Sequence, residues 1–261
     1  MFINKNCRYI ALTGNDIPHE LYNKIIELDS EIFSNDSDEF EGNTAVNPDT
    51  LKSYLEKNIL TTTIIYDQGK DEVIAYYQAF PLEAKFMEKY VNGKTSFSEM
   101  TADDIECFVP GKEQNLYIWS IGIKEEYRGK CVLNDTEASA LRGKNPMKVL
   151  IEGLAGAMID LKKQGVIISE IYAEGVSEKG KKLASELTDN NLLHEDVEND
   201  FYLYGNKFKF ENMVKRLPEE VKMDLMSKWN SVDFQRGKKL GDNLSKLIES
   251  ENKFEMKEED T

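Results

Sequence analysis

The sequence predicts an α/β protein built round one pair of parallel strands, and three stretches predict it. Leu116-Tyr-Ile-Trp-Ser-Ile-Gly-Ile123 reads as a strand, and Val166 to Glu174 as a second. Between them, Pro146 to Gln164 carries Met147, Leu150, Ile151, Leu154, Met158 and Leu161 at helical spacing, a single buried stripe. Strand, long crossover, strand is the pattern of a parallel pair joined right-handedly. With 261 residues, 40% of them hydrophobic, the chain can fill one sizeable core with appendages, or two modest domains.

Each further element has a local reason. Arg8 to Leu12 reads as a first short strand. Asp16 is placed to cap a helix with Pro18 in its first turn, and Leu21, Ile25, Leu28 and Ile32 give that helix one apolar face. The acidic stretch Ser34 to Asn47 reads as a solvated loop, because its carboxylates lack the spacing of a calcium loop. After Pro48 a second helix buries Leu51, Tyr54 and Leu55. Thr61–Tyr66 and Glu72–Phe80 form a hairpin through Asp67–Asp71, with Gly69 supplying the turn. The span from Pro81 to Asn115 is irregular, with weak helical pieces at Leu82–Val91 and Thr101–Phe108; its length marks a functional flap or a packed insertion. In the long helix, Gly153 and Gly156 each cost about 1 kcal/mol against alanine, which predicts a strand crossing tightly beneath. Gly165 closes that helix. Ser177 caps a short helix carrying Leu183 and Leu187, and Phe201–Tyr204 is a last strand. Beyond Gly205, Glu211–Arg216, Pro218–Trp229 and Val232–Ser250 read as helical pieces, followed by an acidic tail.

The bulk chemistry excludes several classes. A net charge of −15 argues against a nucleic-acid partner, although it is equally the charge of a simply soluble protein. Three cysteines without close spacing fit a reduced, cytoplasmic setting, and neither a signal-type run nor an uninterrupted apolar helix points to a membrane. The two histidines, His19 and His194, stand alone and read as surface or capping residues, so no metal is expected. Cys131 follows Arg128-Gly-Lys130 but has no histidine near it in sequence, which disfavours a Cys-His nucleophile.

The connection between the two parallel strands carries two Arg-Gly-Lys triplets, Arg128–Lys130 and Arg142–Lys144. In open α/β sheets a ligand sits at the carboxyl end of the first strand, against the following helix N-terminus, so an anion is the expected guest. Asn145 as N-cap and Pro146 at the first helical position make a competent helix start. Lys144 and Lys148 beside that start read equally as anion ligands and as ordinary surface lysines.

In element order and local wording the chain resembles the GCN5-related N-acetyltransferase (GNAT) family. Ser120-Ile-Gly-Ile-Lys-Glu-Glu-Tyr-Arg-Gly-Lys130 is similar to the family's segment from the central strand to the long helix. Ile171-Tyr-Ala-Glu-Gly-Val-Ser-Glu-Lys-Gly-Lys-Lys-Leu183 is similar to its segment after the partner strand. The resemblance implies a GNAT-like mixed, mostly antiparallel sheet with one central parallel pair joined by a long helix, plus a C-terminal helical extension. Residues 1–205 would form the acyltransferase domain, with insertions at about 81–115 and 131–145, and residues 206–261 a helical extension able to serve as a homodimer contact. The implied activity is acyl-CoA-dependent N-acyl transfer, with acetyl-CoA as cosubstrate and a small-molecule or peptide amine as acceptor. The implied contacts are a bulged backbone at Ile121, Gly122 and Ile123 for the pantetheine arm, Arg128, Gly129, Lys130, Arg142, Gly143 and Lys144 around the pyrophosphate, and Ser177, standing where members usually have asparagine, as a further cofactor contact.

The chain departs from the family pattern in two places. Neither Arg-Gly-Lys copy completes the family's pyrophosphate signature: Cys131 and Leu133, or Asn145 and Met147, occupy its last two positions. The tyrosine that protonates the leaving thiolate in many members is replaced by Ala184, leaving Tyr202, Tyr204 or water. No base is evident: Glu125, Glu126, Glu170 and Glu174 read first as exposed salt-bridge or solvated residues and only second as bases, and Tyr117 stands near where some relatives carry a glutamate. A catalytically degenerate binding or regulatory module is the alternative to an enzyme.

Overall fold

The computed structural model describes residues 7–33, 47–129, 132–136, 139–175, 177–196 and 201–232. Its strands are β1 (Tyr9–Thr13), β2 (Thr63–Asp67), β3 (Glu72–Phe80), β4 (Glu113–Ile123), β5 (Ile167–Gly175), β6 (Leu192–Asp196) and β7 (Phe201–Lys207). They form one sheet in the order β1-β2-β3-β4-β5-β7-β6. β4 and β5 run parallel, and every other neighbouring pair is antiparallel. The mixed, mostly antiparallel α/β architecture read from the sequence is the one observed.

Both faces of the sheet are covered. On one, α4 (Pro146–Lys163) crosses β1, β2 and β3, and α5 (Glu178–Leu187), α6 (Phe210–Val214) and α7 (Glu219–Ser231) pack beside it. Leu150, Leu154 and Met158 of α4 meet Leu116 and Ile118 of β4 and Ile171 and Ala173 of β5 in that core. On the other face, α1 (Tyr22–Phe33), α2 (Pro48–Lys57) and α3 (Ala84–Val91) cover Tyr76 and Phe80 of β3 and Tyr117 of β4. The strands therefore alternate between two buried faces, which is why β3 and β4 read as nearly continuous apolar runs.

Several local expectations are corrected. Asp16 does not cap α1; it ends a short 3-10 turn, a second such turn covers His19–Leu21, and α1 begins at Tyr22. The hairpin turn takes its left-handed residue at Asp71 (φ 58°), and Asp67 Oδ1 accepts the Gly69 and Lys70 amides. Gly153 is needed, because a Cβ there would lie 2.4 Å from Thr63 Cγ2 of β2. Gly156 is not, since nothing lies within 4 Å of the same position. β6 has no counterpart in the sequence reading. Val232 follows α7 in non-helical backbone, and the rest of the last helix expected from sequence, together with the acidic tail, lies outside the described residues.

The sheet forks at its centre. β4 and β5 pair from Glu113 and Ile167 up to Ile118 and Ala173. Past that point β5 continues beside β7, Glu174 opposite Leu203 and Gly175 opposite Tyr202, while β4 continues beside β3 as far as Ile123. A bulge lies at the branch: Ile118 faces Ala79 and Ser120 faces Gln78, so Trp119 has no opposite residue. The bulge expected at Ile121–Ile123 thus falls earlier, on Trp119.

Candidate active site at the sheet fork

Trp119 and Glu174 are the first residues past the last β4–β5 pair, one on each arm of the fork. Glu174 shares a sheet face with Tyr172 and Glu170, by the alternation of β5. The segment between β3 and β4 closes over this face. It is clipped to the sheet by Asn115, whose side chain donates to Leu82 O at 2.8 Å and accepts from Leu82 N at 3.0 Å. Glu83 N to Asp104 O and Glu106 N to Pro81 O, each 2.8 Å, tie its two ends together. The flap places α3 and Phe97 above β4. Phe97 stacks on Tyr117 with centroids 4.4 Å apart, meets Tyr90 edge-on at 4.2 Å, and lies 5.5 Å from Trp119.

Within this aromatic enclosure Glu174 is half-buried; Tyr90 donates a hydrogen bond to its carboxylate, and the Tyr117 hydroxyl stands near enough to favour the ionised form. Withdrawal from water raises its pKa to about 7, against which the two hydroxyls pull down. The reciprocal effect on the tyrosines is upward: burial first, then the neighbouring carboxylate, holds Tyr90 and Tyr117 well above the ordinary phenol range. A carboxyl group half-protonated near neutrality both accepts and donates protons.

The other glutamates weighed from sequence serve elsewhere. Glu125 and Glu126 are exposed, Glu126 lying 3.6 Å from Lys70, and Glu170 is exposed and accepts from Tyr172 at 2.8 Å. Glu174 departs from the exposed role first expected of it. Tyr204 packs in the core on the α4 side and Tyr202 lies under Lys181, so neither stands on the face of Glu174. Tyr90 had no signal beyond its place in a weak helical stretch. Tyr117 was singled out only by position, and its role becomes visible once β4 and β5 are in register.

The expected pyrophosphate site is closed by its own residues. Asn145 Oδ1 accepts from Met147 N at 3.0 Å, and Asn145 O receives the amides of Lys148 (3.0 Å) and Val149 (3.2 Å). Pro146 has no amide hydrogen, so the leading end of α4 has its first donors engaged. Lys144 Nζ turns away to Glu152 at 2.8 Å, and Asn145 Nδ2 donates to Gly129 O at 2.7 Å. Gly143 N bonds Leu133 O at 2.9 Å, and Arg142 lies exposed on the same loop. Arg128 Nε donates to Ile123 O at 2.7 Å, taking a carbonyl expected to face a pantetheine arm. Gly122 is wedged against Tyr76 and Ile32, and Ile121 and Ile123 pack on the α4-side core. Ser177 caps α5, accepting from Gly180 N at 3.1 Å. Lys130 and Cys131 lie outside the described residues. These residues do not fit a nucleotide diphosphate.

Comparisons with known proteins agree in withholding the family. No protein-family description matches the chain, and no curated protein does. A search of solved structures matches the "C-terminal condensation domain of Ebony in complex with beta-alanyl-dopamine" at 12% identity, over 76% of this chain and 98% of that one, with a TM-score of 0.40. The acetyltransferase reading is withdrawn. No family match supports GNAT, and the phosphate site that the reading required is filled by its own residues; acyl-CoA-dependent transfer falls with it. A TM-score of 0.40 is too low to carry an activity across in its place. Among the described residues no helix is long and apolar enough to cross a membrane, and no cluster of three metal-ligating side chains occurs.

Proposed function

We propose that the fork between β4 and β5 binds a small molecule through a primary amine and moves a proton at that amine, with Glu174 as the acid–base group. The observation that carries the reading is the half-buried Glu174 carboxyl, with a pKa raised to about 7, held by Tyr90 and Tyr117 where the two central strands part. A protonated amine reaching the fork meets the Glu174 carboxylate beside the aromatic side chains of Phe97 and Trp119, and rings of this kind attract organic cations. Once Glu174 takes its proton, the bound amine is neutral and carries a free lone pair.

The test is calorimetric titration with a panel of alkyl- and arylalkylamines between pH 5 and 9, with the corresponding alcohols as neutral controls. Affinity for the amines should rise as Glu174 ionises near pH 7, whereas the alcohols should show no step. Glu174→Gln should weaken amine binding by about tenfold or more, the loss expected when one partner of a charge-assisted hydrogen bond is removed, and should abolish the step. Equal amine affinity in Glu174→Gln and the parent at pH 8 would refute the assignment.

A further inference from the structure

On the opposite face of the sheet a second feature is left unused by the amine site. α5 and the end of α6 enclose a depression of about 380 Å³ lined by Lys179, Lys182, Glu186, Lys215 and Arg216. In a chain of net charge −15, four cationic groups here meet one carboxylate. That carboxylate is already committed: Arg216 Nε lies 2.6 Å from Glu186 Oε2. Arg216 first, then Lys182 and Lys215, hold the Glu186 carboxyl below the usual carboxylate range. No carboxylate among the described residues ion-pairs with Lys179, Lys182 or Lys215. The contrast with other lysines is direct: Lys124 is shared between Glu31 and Glu72, and Lys144 is matched by Glu152.

The arrangement is unfavourable as it stands. Lys179 lies in the first turn of α5, at its positive end, and Lys182 follows at a spacing that puts both on one face. Lys215 and Arg216 add like charge from the facing segment. A narrow cavity of about 10 Å³ shares Glu186 and Arg216 with the depression and is lined by Tyr77, whose buried hydroxyl has no hydrogen-bond partner. That space suits one water, able to relay the orphaned hydroxyl to the mouth.

We infer that this depression is a binding site for a small anion carrying two or more linked phosphates. Three cationic groups are left over once Glu186 is paired, so a single carboxylate would not neutralise them. Linked phosphates concentrate enough charge in this volume, and their oxygens accept from lysine ammonium groups in any direction.

Inorganic pyrophosphate is the probe, titrated calorimetrically into the full chain at about 0.15 M salt, where diffuse surface attraction is largely screened. Lys182→Glu and Lys215→Glu, both at exposed positions, should each weaken binding by about tenfold or more, a loss near 1.4 kcal/mol. Lys57→Glu, the same charge change at an exposed position on α2, should leave it within about twofold. Absence of binding at millimolar pyrophosphate overturns the inference, and so does equal weakening by Lys57→Glu, which would mean a diffuse response to net charge. Because Glu174 lies on the other face, Glu174→Gln should bind pyrophosphate as the parent does, whatever its effect on amines.

Discussion

Glu174 shows how one side chain's chemistry is set by neighbours from other elements. Its carboxyl would titrate near 4.5 in water, and enclosure moves it to about 7 although Tyr90 and Tyr117 both stabilise the ionised form. Removing one hydroxyl therefore has a definite sign. Tyr90→Phe deletes a hydrogen bond to the carboxylate and keeps the ring against Phe86 and Phe97, so the pKa of Glu174 should rise further. The midpoint of pH-dependent amine binding should move up by about one unit, the equivalent of one charge-assisted hydrogen bond, with affinity at pH 9 nearly restored. A midpoint that moves down, or does not move, would mean that Tyr90 holds no proton for Glu174. The same residue scale explains Gly122: a Cβ there would come within 2.2 Å of Tyr76 Cε1, in the ring whose hydroxyl bridges Asp29 and Ser120. The glycine expected in a bulge facing a pantetheine arm is instead clearance for a neighbouring ring.

At the scale of elements, α4 separates what periodicity can show from what it cannot. Its stripe, its Asn145 cap and its closing Gly165 follow from local rules, and all three are found. Its two interior glycines look identical in sequence but differ in what lies beneath them. Gly153→Ala would press a methyl group against Thr63 and should cost about 1–3 kcal/mol, whereas Gly156→Ala meets open space and should stabilise by about 0.5–1 kcal/mol. Urea midpoints measure both, and a Gly153→Ala variant as stable as Gly156→Ala would show that α4 rides higher above β2 than described. The parallel pair and the hairpin were legible because their apolar runs are long. β6 was not, since Leu192 and Leu193 are exposed and alternate with nothing buried. The fork was half legible: both strands were read, β4 three residues short at its start and β5 one residue early at each end, but where their pairing ends depends on register, which a single sequence does not encode. The flap over it was marked by length alone, and its aromatic contacts to Tyr117 are long-range. The triplets misled because they sit where an anion site is expected. Their partners, Ile123 O for Arg128 and Glu152 for Lys144, come from neighbouring elements.

For the whole molecule, carboxyls raised by enclosure and carboxyls held low by their partners have opposite consequences. Asp29 is 3% exposed on α1, hydrogen-bonded by Tyr76, and burial raises its pKa from 3.8 to about 6. Like Glu174, it binds its proton more tightly folded than unfolded, so its contribution to stability is full below the unfolded pKa and is lost as pH rises through the folded one. Asp67, clasped by Arg8 and two backbone amides, and Asp135, which accepts the Arg8 and Tyr9 amides at 2.9 and 3.1 Å, run the other way: their carboxyls are held low, and their contribution is lost as pH falls. The two sets place the stability maximum on the acid side of neutrality, near pH 5, with a decline toward pH 8 that the net charge of −15 deepens by self-repulsion. For Asp29 alone the shift corresponds to roughly 3 kcal/mol lost between about pH 4 and 7. Asp29→Asn keeps an acceptor for Tyr76 and cannot ionise, so it should exceed the parent by about 1–3 kcal/mol at pH 8 and match or trail it at pH 4. Urea unfolding across that range decides the matter. A parent whose stability climbs from pH 5 to 8, with Asp29→Asn merely parallel to it, would mean that water reaches Asp29 and that the Tyr76–Ser120 bridge does not close the space behind α1.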